Sequence, residues 1–159
     1  MKEFEKKIIE LFQEMGHGQG MNDELLMTLF AKLYMSPEPV AMDDLAAETG
    51  YSLASISSKA KMLGPLLNIK RVRKPGSKKL FLYMEKDILS VWKDILLKKQ
   101  EHVINKVREK LPSILKEYKG RARTDEDKKR LSIIESYYEQ VLKFGAVLKK
   151  CIIELEKAG

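Results

Sequence analysis

Phe4, Ile8, Leu11, Phe12 and Met15 return every three or four residues, a spacing that predicts an amphipathic helix ending at Gly16. The following GHGQG has its glycines at the wrong spacing for a dinucleotide fingerprint and no strand before it, so it is a flexible connection. Asn22 can cap a second helix, with Asp23 and Glu24 in its first turn, Leu25, Leu26, Leu29, Phe30 and Leu33 buried, and SPEP at 36–39 ending it. In MDDLAAETGYSLASISSKAKMLGPLL, a short helix over about 43–49 is stopped by Gly50, and Ser52 caps another running to about Leu63. Ile56, Ala60 and Leu63 share one face of that helix, which turns Ala54, Ser55, Ser58, Lys61 and Met62 outward. The hydrophobic period then changes. Residues 69–74 and 79–84 are β-compatible runs around the turn residues PGS, predicting a hairpin with Ile69 and Leu80 or Leu82 directed inward.

Beyond Glu85 the pattern is helical. Ile88, Val91, Trp92, Ile95, Leu96, His102, Val103, Val107 and Leu111 form a broad stripe, Pro112 should kink or restart the helix, and Gly120 closes it. Thr124 and Asp127 make a capping-box signature for the last helix. Along that helix Leu131, Ile134, Tyr138, Val141, Gly145, Leu148, Ile152 and Leu155 alternate steps of three and four, which is a coiled-coil seam. Such a helix would be about 50 Å long, whereas a globule of this size is about 39 Å across, so the seam needs a partner helix. A two-fold homodimer is the commonest source, with Phe4, Ile8 and Leu11 of the first helix as a second candidate surface. The predicted fold is mostly α with a small β-wing. Residues 1–20 form a dimerisation helix, 21–85 a winged helix-turn-helix domain, and 86–159 a helical dimerisation region.

Charge sharpens this picture. The chain of 159 residues has a net charge of +7 from 30 Lys and Arg against 23 Asp and Glu. Eight of the basic residues (Lys59, Lys61, Lys70, Arg71, Arg73, Lys74, Lys78 and Lys79) lie between Ser52 and Met84 with no acidic residue among them, so the whole excess sits in one segment. KRVRKPGSKK, 70–79, is its densest part. A field concentrated in this way suits a polyanion, where a merely solubilising charge would be spread. With 44% hydrophobic residues a folded core is expected. No apolar run approaches the ~20 residues needed to span a bilayer and no signal peptide is recognisable, so a cytoplasmic protein is expected. The single cysteine, Cys151, excludes an intramolecular disulfide and a cysteine-cluster metal site, and its place in a helical stripe predicts a buried thiol. His17 falls in the glycine loop and His102 on a helix, neither with a second ligand at metal spacing. No nucleophile, phosphate loop or paired-carboxylate motif appears, so neither catalysis nor a cofactor is expected.

LFAKLYMSPEPVAMDDLAAETGYSLASISSKAKMLGPLLNIKRVRKPGSKKLFLY, residues 29–83, resembles the MarR-type winged-helix transcriptional regulators, and LYMSPEPVAMDDLA is most similar to their GbsR branch, linked to choline and glycine betaine control. The resemblance implies a homodimeric transcriptional regulator, a repressor, on a palindromic double-stranded operator with half-sites about 34 Å apart. The capped helix beginning at Ser52 and Ala54 would lie in the major groove. Ser55, Ser58 and Lys61 would read bases, while Lys61, Arg71, Arg73, Lys74, Lys78 and Lys79 would meet phosphates. The chain departs from that pattern at Ala41, where a capping threonine is usual, at Ser58, where arginine is frequent, and at Lys78 or Lys79, where a groove-inserting arginine is usual; lysine lacks arginine's bidentate fork. The same resemblance implies a small-molecule effector, with a quaternary ammonium compound as its class and Trp92, Tyr118, Tyr137, Tyr138 and Phe144 as cation-π faces. Their helical spacing instead assigns these aromatics to packing, as it does Met27, Met35 and Met42. A winged-helix module for an acidic protein or RNA is the alternative reading.

Overall fold

In the computed structural model, which describes residues 1–159, the chain falls into two units, Met1–Asp87 and Ile88–Gly159. The first contains α1 (Lys2–Gly18), α2 (Glu24–Met35), β1 (Val40–Ala41), α3 (Met42–Thr49), α4 (Leu53–Leu67), β2 (Ile69–Arg73) and β3 (Leu80–Met84). The strands form one antiparallel sheet in the order β1-β3-β2, with Val40 opposite Leu82 and Val72 opposite Phe81. Leu29 and Leu33 of α2, Leu45 of α3, Ile56 of α4 and Leu82 and Met84 of β3 are fully buried in a single core, with Ala60 and Leu63 beside them. This is a winged helix-turn-helix: mostly α, with a small three-stranded wing.

Several boundaries move from their predicted places. α1 continues past Gly16 to Gly18, and the left-handed break falls at Gly20, with φ 75°. Gly16 serves packing instead. A Cβ there would lie 2.7 Å from Met27 Cγ, so the glycine lets α1 cross α2 closely. Phe12, Phe30 and Tyr34 pack tilted and edge-on at the same crossing, and Gln13 donates to Thr28 Oγ1. The cap of α2 is Asp23 rather than Asn22, its carboxylate accepting from the Leu26 N–H at 3.0 Å. α3 lacks a side-chain cap at Ala41, carries Asp43 and Asp44 in its first turn, and ends at Gly50, φ 74°. α4 runs beyond Leu63, through Gly64 and Pro65, and stops at Asn68 in the left-handed conformation. The continuation brings Leu67 against the core, which offsets the hydrogen bond a proline removes. β1 is too short to leave a period in the sequence and exists through its pairing with β3.

The second unit comprises α5 (Ile88–Lys99), a π-helical turn (Gln100–Asn105), α6 (Lys106–Lys119) and α7 (Asp125–Ala158). α7 opens on the predicted capping box: Thr124 Oγ1 accepts from Asp127 N–H and the Asp127 carboxylate from Thr124 N–H. Pro112 lies inside α6, and the helical ladder is interrupted earlier, at the π turn. One extra residue there rotates the stripe, so Ile104 is buried where Val103 was expected, and Val103, His102 and Trp92 are exposed. Gly145 makes this approach possible, since a Cβ on it would sit 2.5 Å from Ile104 Cγ2.

Most of the seam on α7 is therefore covered from within the chain. Val141, Gly145, Leu148 and Ile152 are buried and Leu131, Tyr138 and Leu155 half-buried, while Ile134 remains exposed. α5, the π turn and α6 are the neighbours of α7 in this unit. Cys151 is exposed, contrary to the buried thiol expected of it, because it projects with Ile133, Tyr137, Phe144 and Val147 from a second, outward stripe.

Candidate nucleic-acid interface

Helix α4 is held at its start by its own serines. Ser52 Oγ accepts from the Ser55 N–H at 3.1 Å and lies 2.9 Å from Ser55 Oγ, so Ser55, one of the two predicted base-reading serines, is engaged in the cap. Ile56, Ala60 and Leu63 anchor the inner face. Ala54, Ser58, Lys61 and Met62 are exposed on the outer face as predicted, joined by Leu53 and, in the preceding turn, Tyr51. Lys59 turns inward and pairs with the Asp23 carboxylate. Burial alone would raise the Asp23 pKa, but the hydrogen bonds from Lys59 and the Leu26 N–H outweigh it, leaving the carboxyl below its ordinary value.

The wing turns at Pro75–Gly76, where Gly76 has φ 77° and Ser77 N–H donates to Lys74 O at 3.2 Å. Proline followed by a left-handed glycine is the type II pattern. Ser77 Oγ in turn accepts from Lys79 N–H, stiffening the tip. Strand alternation puts Ile69, Arg71 and Arg73 on one face, paired with Met84, Leu82 and Leu80. From that face Arg71 donates through Nη2 to Ser57 O at 3.2 Å and Ser57 Oγ at 3.1 Å. Arg71 thus links β2 to α4 through Nη2 while its side chain stays exposed. Lys74 lies over the Phe81 ring at 4.5 Å, and Lys79 pairs with Asp44 at 3.5 Å. Lys61, Arg73 and Lys78 are exposed and have no acidic partner.

Helix and wing meet in a cleft of about 530 Å³ lined by Leu53, Ala54, Ser57, Lys78, Lys79 and Leu80, together with Met42 and the exposed Asp43 of α3. The candidate recognition helix and the lysine-rich tip thus border one concavity. Behind it, Lys86 Nζ donates to Leu33 O at 2.6 Å and Met84 O at 2.7 Å beneath the Tyr83 ring, and Tyr34 donates to Lys86 O. The end of β3 is thereby tied to α2, and burial holds the Lys86 pKa below its usual value. Lys32, whose side chain is 13% exposed, bridges Glu5 of α1 and Glu48 of α3 at 2.6 and 2.8 Å. Burial lowers its pKa and the two carboxylates raise it further than burial lowers it, so the ammonium is stabilised.

Other sequence-derived candidates separate. Phe4 and Leu11 are exposed on α1 and Ile8 is half-buried. Trp92, Tyr118, Tyr137 and Phe144, expected as packing residues, are about half exposed, Tyr137 and Phe144 on the outward stripe of α7; Tyr138 is half-buried. The ring-to-ring contacts are those of Phe12, Phe30 and Tyr34, so the five do not form a cage. No group of three or more His, Cys, Asp or Glu side chains converges as a metal site, and no helix is long and apolar enough to cross a membrane. Leu53, Tyr51 and the neutralising roles of Asp23 and Asp44 escaped the sequence reading. Leu53 carried a local signal, standing just after the cap, whereas the carboxylates come from elements remote in sequence.

The fold and the cleft place the chain in the winged helix-turn-helix class. No protein-family model and no curated protein sequence matches it. Among solved structures, the crystal structure of a transcriptional regulator is similar to it with TM-score 0.69 and 14% identity, covering 96% of this chain and 98% of that one.

Proposed function

We propose that the protein is a double-stranded-DNA-binding transcriptional regulator of MarR type, acting as a homodimeric repressor on a palindromic operator. The observation that carries this reading is the shared cleft: the outer face of α4 and the tip bearing Lys78 and Lys79 border the same concavity, with Lys61 and Arg73 unpaired on the same two elements. A helix with small outward residues beside cations matches a major groove flanked by phosphates. The similarity of fold to a transcriptional regulator supports the same assignment.

For the dimer, the proposed surfaces are the outward stripe of α7, with Ile133, Tyr137, Phe144 and Val147, and the free side of α1, with Phe4 and Leu11, because these apolar residues stay exposed after the seam of α7 is filled from within. The test is binding of random duplex DNA titrated with salt. The expected result is binding at about 50 mM salt with a steep salt dependence, lost in Lys78→Glu/Lys79→Glu. No binding at that salt overturns the proposal in favour of a protein- or RNA-binding module.

A further inference from the structure

The outward face of α4 is poor in the groups that normally read bases. Arg, Asn and Gln supply bidentate hydrogen bonds to guanine and adenine, and Asp or Glu accept from cytosine; none of these five occurs between Leu53 and Leu67. Ser52 and Ser55 are occupied with each other, Ser57 with Arg71, and Lys59 with Asp23. Only Ser58 and Lys61 remain as polar groups on the exposed arc. What the arc presents instead is apolar: Ala54 between two opposite edges, Leu53 at 47% exposure on the one and Met62 at 54% on the other, with Leu66 a turn further on. Leu53 and Ala54 also line the cleft shared with Lys78 and Lys79, so the apolar surface lies beside cations that would hold a polyanion against it.

The major-groove edge of B-DNA offers one apolar feature, the 5-methyl group of thymine. Resting on the DNA-binding reading above, we infer that base selection by this protein is chiefly recognition of thymine methyl groups by Leu53, Ala54 and Met62, with Lys61 as the one long polar contact. The occupant of this face is duplex DNA, the polyanion whose major groove fits a helix with small outward residues. Recognition then consists of burying methyl groups against side chains that are otherwise wetted, and the unbranched thioether of Met62 adapts to the groove without a fixed rotamer.

The test starts from duplexes recovered by selection from genomic fragments and replaces thymine by deoxyuridine. That removes the methyl group and keeps every hydrogen-bonding atom and phosphate. Each contacted methyl should be worth about fourfold in affinity, so deoxyuridine at the contacted positions of both half-sites should weaken binding by more than tenfold with an unchanged salt slope. Leu53→Ala/Met62→Ala, both exposed, should bind the thymine duplex more weakly and lose most of its sensitivity to the substitution, Ala54 being retained. A selected motif without thymine facing α4, or no motif at all, overturns the inference while leaving non-specific duplex binding intact, as does equal affinity for thymine and deoxyuridine duplexes. Absence of any duplex binding by the wild-type protein overturns both this inference and the function on which it rests.

Discussion

Lys78→Gln and Lys79→Gln remove the same charge from adjacent positions, yet the structure makes them unequal. Lys78 is exposed with no acidic partner, whereas Lys79 stands 3.5 Å from Asp44, both side chains being about half exposed. A phosphate contact contributes about 0.9 to the slope of log K against log salt. In a dimer, Lys78→Gln removes two contacts, or about 1.8 of slope, and its defect relative to wild type should shrink about twelvefold between about 50 and 200 mM salt. Lys79 already has part of its field cancelled, so Lys79→Gln should lower the slope by less. An exposed ion pair is worth no more than about 1 kcal/mol, so it competes with a phosphate without excluding one. Asp44→Asn should therefore free Lys79, tighten binding at low salt and steepen the slope. Fluorescence anisotropy of a labelled duplex across a salt series measures all three. Equal slopes for the two lysine variants, or weaker binding by Asp44→Asn, would refute the reasoning that cancellation by Asp44 sets the order.

Packing in the helical unit gives two further tests by denaturant midpoint. Gly145→Ala places a Cβ 2.5 Å from Ile104 Cγ2 and should cost about 1–3 kcal/mol, partly recovered when Ile104→Ala opens the space; a neutral Gly145→Ala would show that the approach is not tight. Gln100 Oε1 is buried without a hydrogen-bond partner, so Gln100→Met should stabilise by about 1 kcal/mol, and a loss of stability would mean the amide is satisfied after all. Asp23→Asn keeps an oxygen to cap α2 but loses the charge pairing with Lys59, at a cost of about 1 kcal/mol near neutral pH. Because the folded pKa of Asp23 is depressed, that stabilisation is present above its ordinary value of 3.8 and disappears as pH falls through the lower folded value. The gap between wild type and Asp23→Asn should close in acid, and a constant gap contradicts the assignment. Finally, Phe144→Glu/Val147→Glu on the exposed stripe of α7 should yield monomers by light scattering with helix content retained; a dimer unaffected by the pair places the interface elsewhere.

Local chemistry made much of this fold legible in the sequence. Gly50 ends α3, Ser52 caps α4, Thr124 and Asp127 box the start of α7, and Pro75–Gly76 turns the wing. Each of these acts over four residues or fewer, so the residues that decide the conformation are written side by side. The change of hydrophobic period from helical to alternating marked the wing for the same reason, and the charge-rich tip was visible as six basic residues in ten with no acidic one. Tertiary structure decided how those residues are used. Arg71, expected only as a phosphate contact, also donates to Ser57, fourteen residues earlier. Lys59 and Lys79 looked unopposed because Asp23 and Asp44 lie far away in the chain and near in space. The seam of α7 called for a partner helix without saying whose; the chain folds back α5, the π turn and α6 to supply it, and the one-residue shift at that turn moves Ile104 in and Val103 out. A sequence pattern records which side of a helix is apolar. Which surface covers that side, and which carboxylate reaches a given cation, depends on distances between elements that only the assembled chain sets.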